Sequence, residues 1–552
     1  MRFFIIALST CLIVSAATSG TPALDLSAAR ILERTRVLAS DAMEGRGPAT
    51  TGEERTVAYL VAECKKIGLA PATADGGYVQ EVPMIGVISK YTASWSSGGK
   101  SAELAPNTDV VAPSMRLERH VDLKESEMVF LGYGVTAPEY GWDDYAGIDV
   151  KGKTVVVLVN DPPVPDPANP AKLDPKLFGG VAMTYYGRWT YKYENASAHG
   201  AAACMIIHET GPAAYPFSVV VDSRTRENFT LPVPDRNAAR VAVEGWFSLD
   251  AARRILAGSG REFDALKLAA VKRGFRPVPL GSRLTVSVDN TIREVRSRNV
   301  AGVLPGSDPS LKNEYVIFSS HWDHLGIDPA LKGDNIYNGA LDNASGVAQI
   351  LEVAQAMIAL PAAARPKRSV VFLMPTAEEK SLLGAKHYAE HPLFPLERTL
   401  ADINVDGANP FGPTSDLRVV GWGASTIDTL AARLAAGQGR SIEPDDHPER
   451  GSYYRADHLE FARAGVPAFY AGSGRRYIGK PDDFGENFVN KFIASHYHKP
   501  SDEVGADWTM EGAAQDAEFF TRLGLEIANG ETWPEWSPGN EFKARRDAML
   551  RR

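Results

Sequence analysis

Near the start of the chain, Val57, Leu60, Val61, Cys64 and Ile67 stand at helical spacing, which places their side chains on one face of a helix. Thr51-Gly-Glu-Glu54 before them reads as a capping box and Gly68 after them as a stop, so a helix is predicted between the two. An earlier helix is predicted over 26–38. Glu44-Gly-Arg-Gly-Pro48, between the helices, is a loop, because its glycines and proline oppose regular structure. From about Val121 the apolar runs become short and β-branched. Met128-Val-Phe-Leu131 and Thr154-Val-Val-Val-Leu-Val159 read as strands separated by turn-rich sequence. A proline-rich loop at 161–175, a helix at 188–198 closed by Gly200 and a strand at 202–207 complete this middle region.

After Arg298 strand and helix patterns alternate. Strands are predicted at Tyr315–Ser319, Ser369–Met374 and 401–405, and helices at about 345–360, 382–390 and 426–436. That alternation predicts an α/β fold with a mostly parallel central sheet flanked by helices. The middle region breaks the pattern and is read as an inserted β-rich domain. The division expected is 21–115 for the first part of the main domain, 116–285 for the insert, 286–530 for the rest of the main domain and 531–552 for a tail. The charged end, 545–552, reads as frayed.

Composition narrows the class of protein. The chain has 552 residues, 44% apolar and 23% charged, the balance of an ordinary globular protein. A net charge of −9 with no clustered Lys and Arg argues against a nucleic-acid partner. Residues 1–20 read as an export signal: Arg2, then an apolar run from Phe3 to Val14, then Ser15-Ala16-Ala17. The run is shorter than the ~20 residues of a spanning helix, and no later segment is apolar enough to span. The expectation is an exported protein, periplasmic or secreted, with no stable membrane insertion. Cys11 lies in the signal, where Thr10 before it fits a lipid anchor poorly. Cys64 and Cys204 fall in apolar elements of different domains and are expected to be free, buried thiols.

The candidate chemistry gathers at strand ends, where α/β sheets form their sites. His321, Glu378, Glu379 and Asp406 each follow a predicted strand. Alone, His321 or His498 is most simply structural, Asp342 a turn residue, and Glu378-Glu379 a solvated pair. Yet two adjacent carboxylates at a buried strand end are costly without a cation. Histidine nitrogen and carboxylate oxygen are the donors that zinc takes.

Taken in order, His321-Trp-Asp323, Gly339-Ala-Leu-Asp342-Asn343-Ala-Ser-Gly346, Glu378-Glu379 followed by Gly384-Ala385, Asn404-Val-Asp406 and Tyr497-His498-Lys-Pro-Ser-Asp502 resemble metallopeptidase family twenty-eight. Glu44-Gly-Arg-Gly47 is similar to the amino-terminal segment of that family. Gly132-Tyr-Gly134, Asp143-Asp-Tyr145 and Gly152-Lys-Thr-Val-Val-Val157 are similar to a protease-associated domain. Arg455-Ala-Asp-His458 resembles the family's Ser-Asp-His segment, with Ala456 in place of Ser.

The resemblance implies two zinc ions bridged by Asp342. His321 and Asp406 complete one site, and Glu379 and His498 the other. It further implies that Glu378 is the general base, that Asp323 orients His321, and that the Asp342–Asn343 peptide is cis. His324 and His458 match no ligand position and are expected to be structural or to support the ligands. The function implied is an exported exopeptidase acting on short peptides, most often an aminopeptidase. A carboxypeptidase of the same family, using arginines such as Arg455, Arg475 and Arg476, is the first alternative, although Arg475-Arg476 beside Gly474 also reads as a solvated turn. A glutaminyl cyclase and a non-catalytic receptor-like member are the others. The insert is expected to restrict access and to do no chemistry.

Overall fold

Strand Val278–Leu304 is the spine of the molecule. The computed structural model describes residues 23–551, so the export segment 1–20 and the localisation inferred from it lie outside the described residues. The spine pairs antiparallel with Val79–Ser97 from Val300 opposite Val79 to Ser282 opposite Ser97. One end of the spine also pairs with Ser369–Met374 and the other with His120–Phe130. One ribbon therefore carries a continuous sheet from the main domain into the insert.

On the main-domain side the sheet runs Ser441–Pro444, Asp416–Val420, Ala468–Gly472, Thr399–Asn404, Tyr315–Ser319, Ser369–Met374 and then the spine. The four strands from Ala468–Gly472 to Ser369–Met374 are parallel neighbours. They are apolar almost throughout because both faces are covered. Val347, Leu351, Phe519 and Leu523, from helices Gly346–Ala359 and Glu511–Asn529, join Val57 and Leu60 of Thr51–Ile67 in the core on one face. Tyr388 and Phe461, from Leu383–Glu390 and His458–Ala464, close the other. This is the α/β sheet flanked by helices that the alternation predicts.

The insert has its own core. His120–Phe130, Thr154–Leu158, Ala203–Ile207 and Val243–Phe247 are also parallel neighbours. Ala93, Leu104 and Val110 pack with Phe130, Met205 and Val243, and Val110–Val111 pairs with Val243–Phe247. Residues ahead of 116 thus share this core, because the outer half of the ribbon packs into it.

Three local expectations change. The helix Thr51–Ile67 is capped by Thr50, not Thr51: Thr50 Oγ1 accepts from Glu53 N and Glu53 Oε2 accepts from Ala49 N. The box slips by one residue because Glu53 is buried and also receives Arg298 Nε at 2.8 Å and Ser297 Oγ at 2.8 Å. The charged end is not frayed. Lys543–Leu550 is a docked helix in which buried Arg546 donates to Leu396 O at 3.2 Å and Thr399 O at 2.8 Å. The loop near Glu44 holds 3-10 turns over Asp41–Arg46, with Glu44, Gly45 and Arg46 in the left-handed region. Cys64 and Cys204 are buried and free. Among the described residues no helix is long and apolar enough to cross a membrane.

Candidate metal centre

The loops after three parallel strands meet at one end of the sheet. His321 follows Tyr315–Ser319, Glu378 and Glu379 follow Ser369–Met374, and Asp406 follows Thr399–Asn404. Asp342 comes from the segment Ala340–Ser345 that leads into helix Gly346–Ala359. His498 comes from the loop after helix Phe484–Ser495.

The side chains of Asn343 and Ser345 tie these loops together. Asn343 Nδ2 donates to Ser320 Oγ at 3.1 Å and Val405 O at 3.3 Å, while its Oδ1 accepts from Gly407 N at 2.7 Å. Ser345 Oγ accepts from Ala408 N at 2.9 Å. Asp342 and Asp406 are thereby held in register. The Asp342–Asn343 peptide is cis, as the resemblance implies. Gly346 is required because a Cβ there would collide with Asn343 Oδ1.

Asp342 turns one oxygen to each histidine. His321 Nε2 lies 3.4 Å from Asp342 Oδ1 and 3.3 Å from Asp406 Oδ1. His498 Nε2 lies 3.4 Å from Asp342 Oδ2 and 3.0 Å from Glu379 Oε2. The edges of a tetrahedron around an ion bonded at about 2.0–2.1 Å are about 3.3–3.4 Å. The donor atoms of His321, Asp342 and Asp406 meet that spacing and form a group able to hold an ion. A second such group joins Asp342 and Glu379 with His324, with His498 at 3.4 and 3.0 Å from the same two carboxylates. Glu378 stands beside them, with Oε2 4.0 Å from His321 Nε2.

The electrostatics are those of crowded carboxylates. Burial pushes Glu378 well above its ordinary pKa, and Glu379, Asp406 and Asp457 push it further, against His321. Burial opposes a charged His321 ring, but Glu378, Asp323, Asp342 and Asp406 outweigh it and raise that pKa well above normal. Such a cluster calls for cations.

Asp323 meets His321 differently from the expectation. His321 Nδ1 bonds the backbone carbonyl of Asp323 at 3.1 Å, and the nearer carboxylate oxygen is 3.7 Å away. That oxygen instead accepts from Glu378 N at 3.0 Å. Asp323 therefore fixes the ring through its main chain and the Glu378 turn through its side chain. His458 is fully buried and does not join the cluster; its ring nitrogens have no protein partner.

Sequence reasoning left Arg46 and Asp502 without a role. Arg46 is buried and donates to four carbonyls: Trp322 O at 2.8 Å, Leu38 O at 2.8 Å, Asn338 O at 2.5 Å and Gly339 O at 2.8 Å. Burial lowers its pKa to about 10, with Asp502 the leading counter-charge. Asp502 accepts from Leu341 N at 3.0 Å and Asp342 N at 3.1 Å, clamping the Asp342 turn. The signals were Arg46 between glycines and Asp502 in the His498 segment.

The centre opens into a cleft of about 440 Å³ walled by Tyr215, Pro216 and Val219 of the insert, by Phe488 and Phe492, and by Arg455 and Arg475. Arg475 is thus in the cleft, not in a solvated turn; Arg476 is exposed and pairs with Glu443 at 2.9 Å. A side chamber of about 140 Å³ joins Glu378 and Glu379 to Arg188, Arg224, Lys380 and Arg455. Burial, then nearby Arg455, lowers Arg188 to about 10, and burial lowers Lys380 to about 8. Arg224 Nη2 and Arg455 Nε are buried without a hydrogen-bond partner.

This fold and centre define the class. Residues 299–519 match the model of Peptidase family M28. Among curated proteins it is similar to mouse Aminopeptidase NAALADL1, 36% identical over 140 residues, which are 24% of this chain and 17% of that protein. It is also similar to Aminopeptidase YwaD of Bacillus subtilis strain 168, 23% identical over 242 residues, covering 43% of this chain and 46% of that one. The matched stretches thus span less than half the length of these relatives. Among solved structures, an aminopeptidase from Aneurinibacillus sp. strain AM-1 aligns over 93% of this chain and 95% of its own, at 18% identity and a TM-score of 0.49.

Proposed function

We propose that the protein is an exported two-zinc exopeptidase that removes amino-terminal residues from short peptides. The observation that carries this reading is the division of Asp342 between His321 and His498, at 3.4 Å each, with Asp406 and Glu379 completing the two sets. His321, Asp342 and Asp406 would hold one ion, and Asp342, Glu379 and His498 the other. Bound there, zinc supplies a Lewis acid for the scissile carbonyl and for water. Glu378 moves the proton: its carboxylate accepts one from the attacking water and passes it to the departing amine. The pattern of residues 1–20 supports export.

The insert, read as a protease-associated domain, narrows access. Its Tyr215, Pro216 and Val219 face the cleft, and its Asp222 pairs with Lys499, next to His498, at 3.3 Å. A narrowed cleft admits an extended chain end and excludes folded protein.

One observation favours a second reading, a carboxypeptidase of the same family. Arg188, Arg224, Lys380 and Arg455 crowd the chamber beside Glu378 and Glu379, and a substrate carboxylate would satisfy the free guanidinium nitrogens. Two peptides separate the readings, one blocked at its amine and one amidated at its carboxyl end. The aminopeptidase cleaves the amidated peptide and rejects the blocked one; the reverse pattern establishes the carboxypeptidase.

A further inference from the structure

His324 stands outside the expected ligand set, yet it is fully buried against it. Its Nδ1 lies 2.6 Å from Glu379 Oε1. That is a hydrogen-bond distance and is well short of the roughly 3.3 Å that separates two ligands on one zinc-sized ion. An ionised carboxylate only accepts, so the proton sits on Nδ1. The other nitrogen, Nε2, is buried with no partner, which suits a bare lone pair better than an unmet N–H.

The ring is held from several sides. The backbone N–H of His324 donates to Arg46 O at 3.2 Å. Its face packs on Gly339, where an added Cβ would come 2.6 Å from the ring. Its edge meets the His498 ring at 5.7 Å between centroids. With Oε1 of Glu379 tied to this fixed donor, Oε2 is left facing His498 at 3.0 Å.

We infer that His324 is a positioning residue: its Nδ1–H aims Glu379 and so sets the affinity of the ion held by Asp342, Glu379 and His498. The inference rests on the two-metal reading. Partners that orient metal ligands in this way are typically worth about 10–100-fold in affinity.

The test is zinc content per chain after dialysis against graded chelator. It compares wild type with His324→Asn, which keeps an N–H near the Nδ1 position, and with His324→Leu and His324→Gln, which fill the space but remove the donor or shift it toward Nε2. The expected result is that the Leu and Gln variants lose one of two ions at about 10–100-fold lower chelator, keep the other, and that Asn restores the second. A structural role would track side-chain volume, so Leu or Gln matching wild type, or Asn behaving like Leu, overturns the inference. Wild type holding fewer than two ions overturns the two-metal reading, and the inference with it.

Discussion

Glu378 and Glu379 are neighbours in the chain and differ in what surrounds them. Glu379 is held by His324 at 2.6 Å and His498 at 3.0 Å. Glu378 is held through its backbone, its N–H donating to Asp323 at 3.0 Å and its carbonyl accepting from Ser381 N at 3.0 Å and Leu382 N at 2.9 Å, and its carboxylate faces the cleft. Glu378→Gln should therefore lower kcat by about 10²–10⁴-fold while metal content stays at the wild-type level. Near-full activity in that variant would remove Glu378 as the base. Arg46 makes a separate prediction. Arg46→Met removes the side-chain donor to four buried carbonyls beneath Asp342, of which Gly339 O keeps another donor, Ala344 N at 3.1 Å, and an unmet buried acceptor costs about 1–3 kcal/mol. Denaturant titration of the variant should show a loss of about 3 kcal/mol or more; a midpoint equal to wild type would contradict this role. Of the residues meeting at the centre, His321, Glu378, Glu379 and Asp406 were legible because each follows a strand, whereas Asp342, ahead of a helix, and His498, after one, came from the resemblance alone. Arg46 and Asp502 were not legible, and of His324 only a structural or supporting part was expected, because their partners are distant backbone groups or a carboxylate 55 positions away, and no local spacing encodes such contacts.

At the scale of elements, periodicity located Tyr315–Ser319 and Ser369–Met374 to the residue. A buried parallel strand is a bounded apolar run, and nothing competes with that pattern. The carboxyl-terminal helix was missed because a run rich in arginine resembles a solvated tail. What decides it is a pair of carbonyls, Leu396 O and Thr399 O, that receive Arg546. Arg546→Ala should reduce stability by about 1–3 kcal/mol, read by thermal denaturation, with the activity of the folded fraction unchanged. The capping box failed by one residue for a related reason, since Glu53 is recruited by Arg298 and Ser297 far along the chain.

For the whole molecule, the ribbon of Val79–Ser97 and Val278–Leu304 joins the two cores. The change of texture near Val121 was legible, and the ribbon explains why no sharp boundary accompanies it: a strand shared by two cores has no boundary in its own sequence. This arrangement puts the insert over the cleft. Short peptides should be hydrolysed and a folded protein left intact, as mass spectrometry of both after equal incubation would read. Interior cleavage of the folded protein would show that the insert does not limit access.

The central claim is two ions sharing Asp342, and anomalous diffraction at the zinc edge from crystals of the zinc-loaded protein tests it most directly. The account predicts two peaks about 3.5–4 Å apart, one within about 2.0–2.2 Å of His321, Asp342 and Asp406 and the other equally close to Asp342, Glu379 and His498. A single peak, or His498 turned away from Asp342, would contradict it.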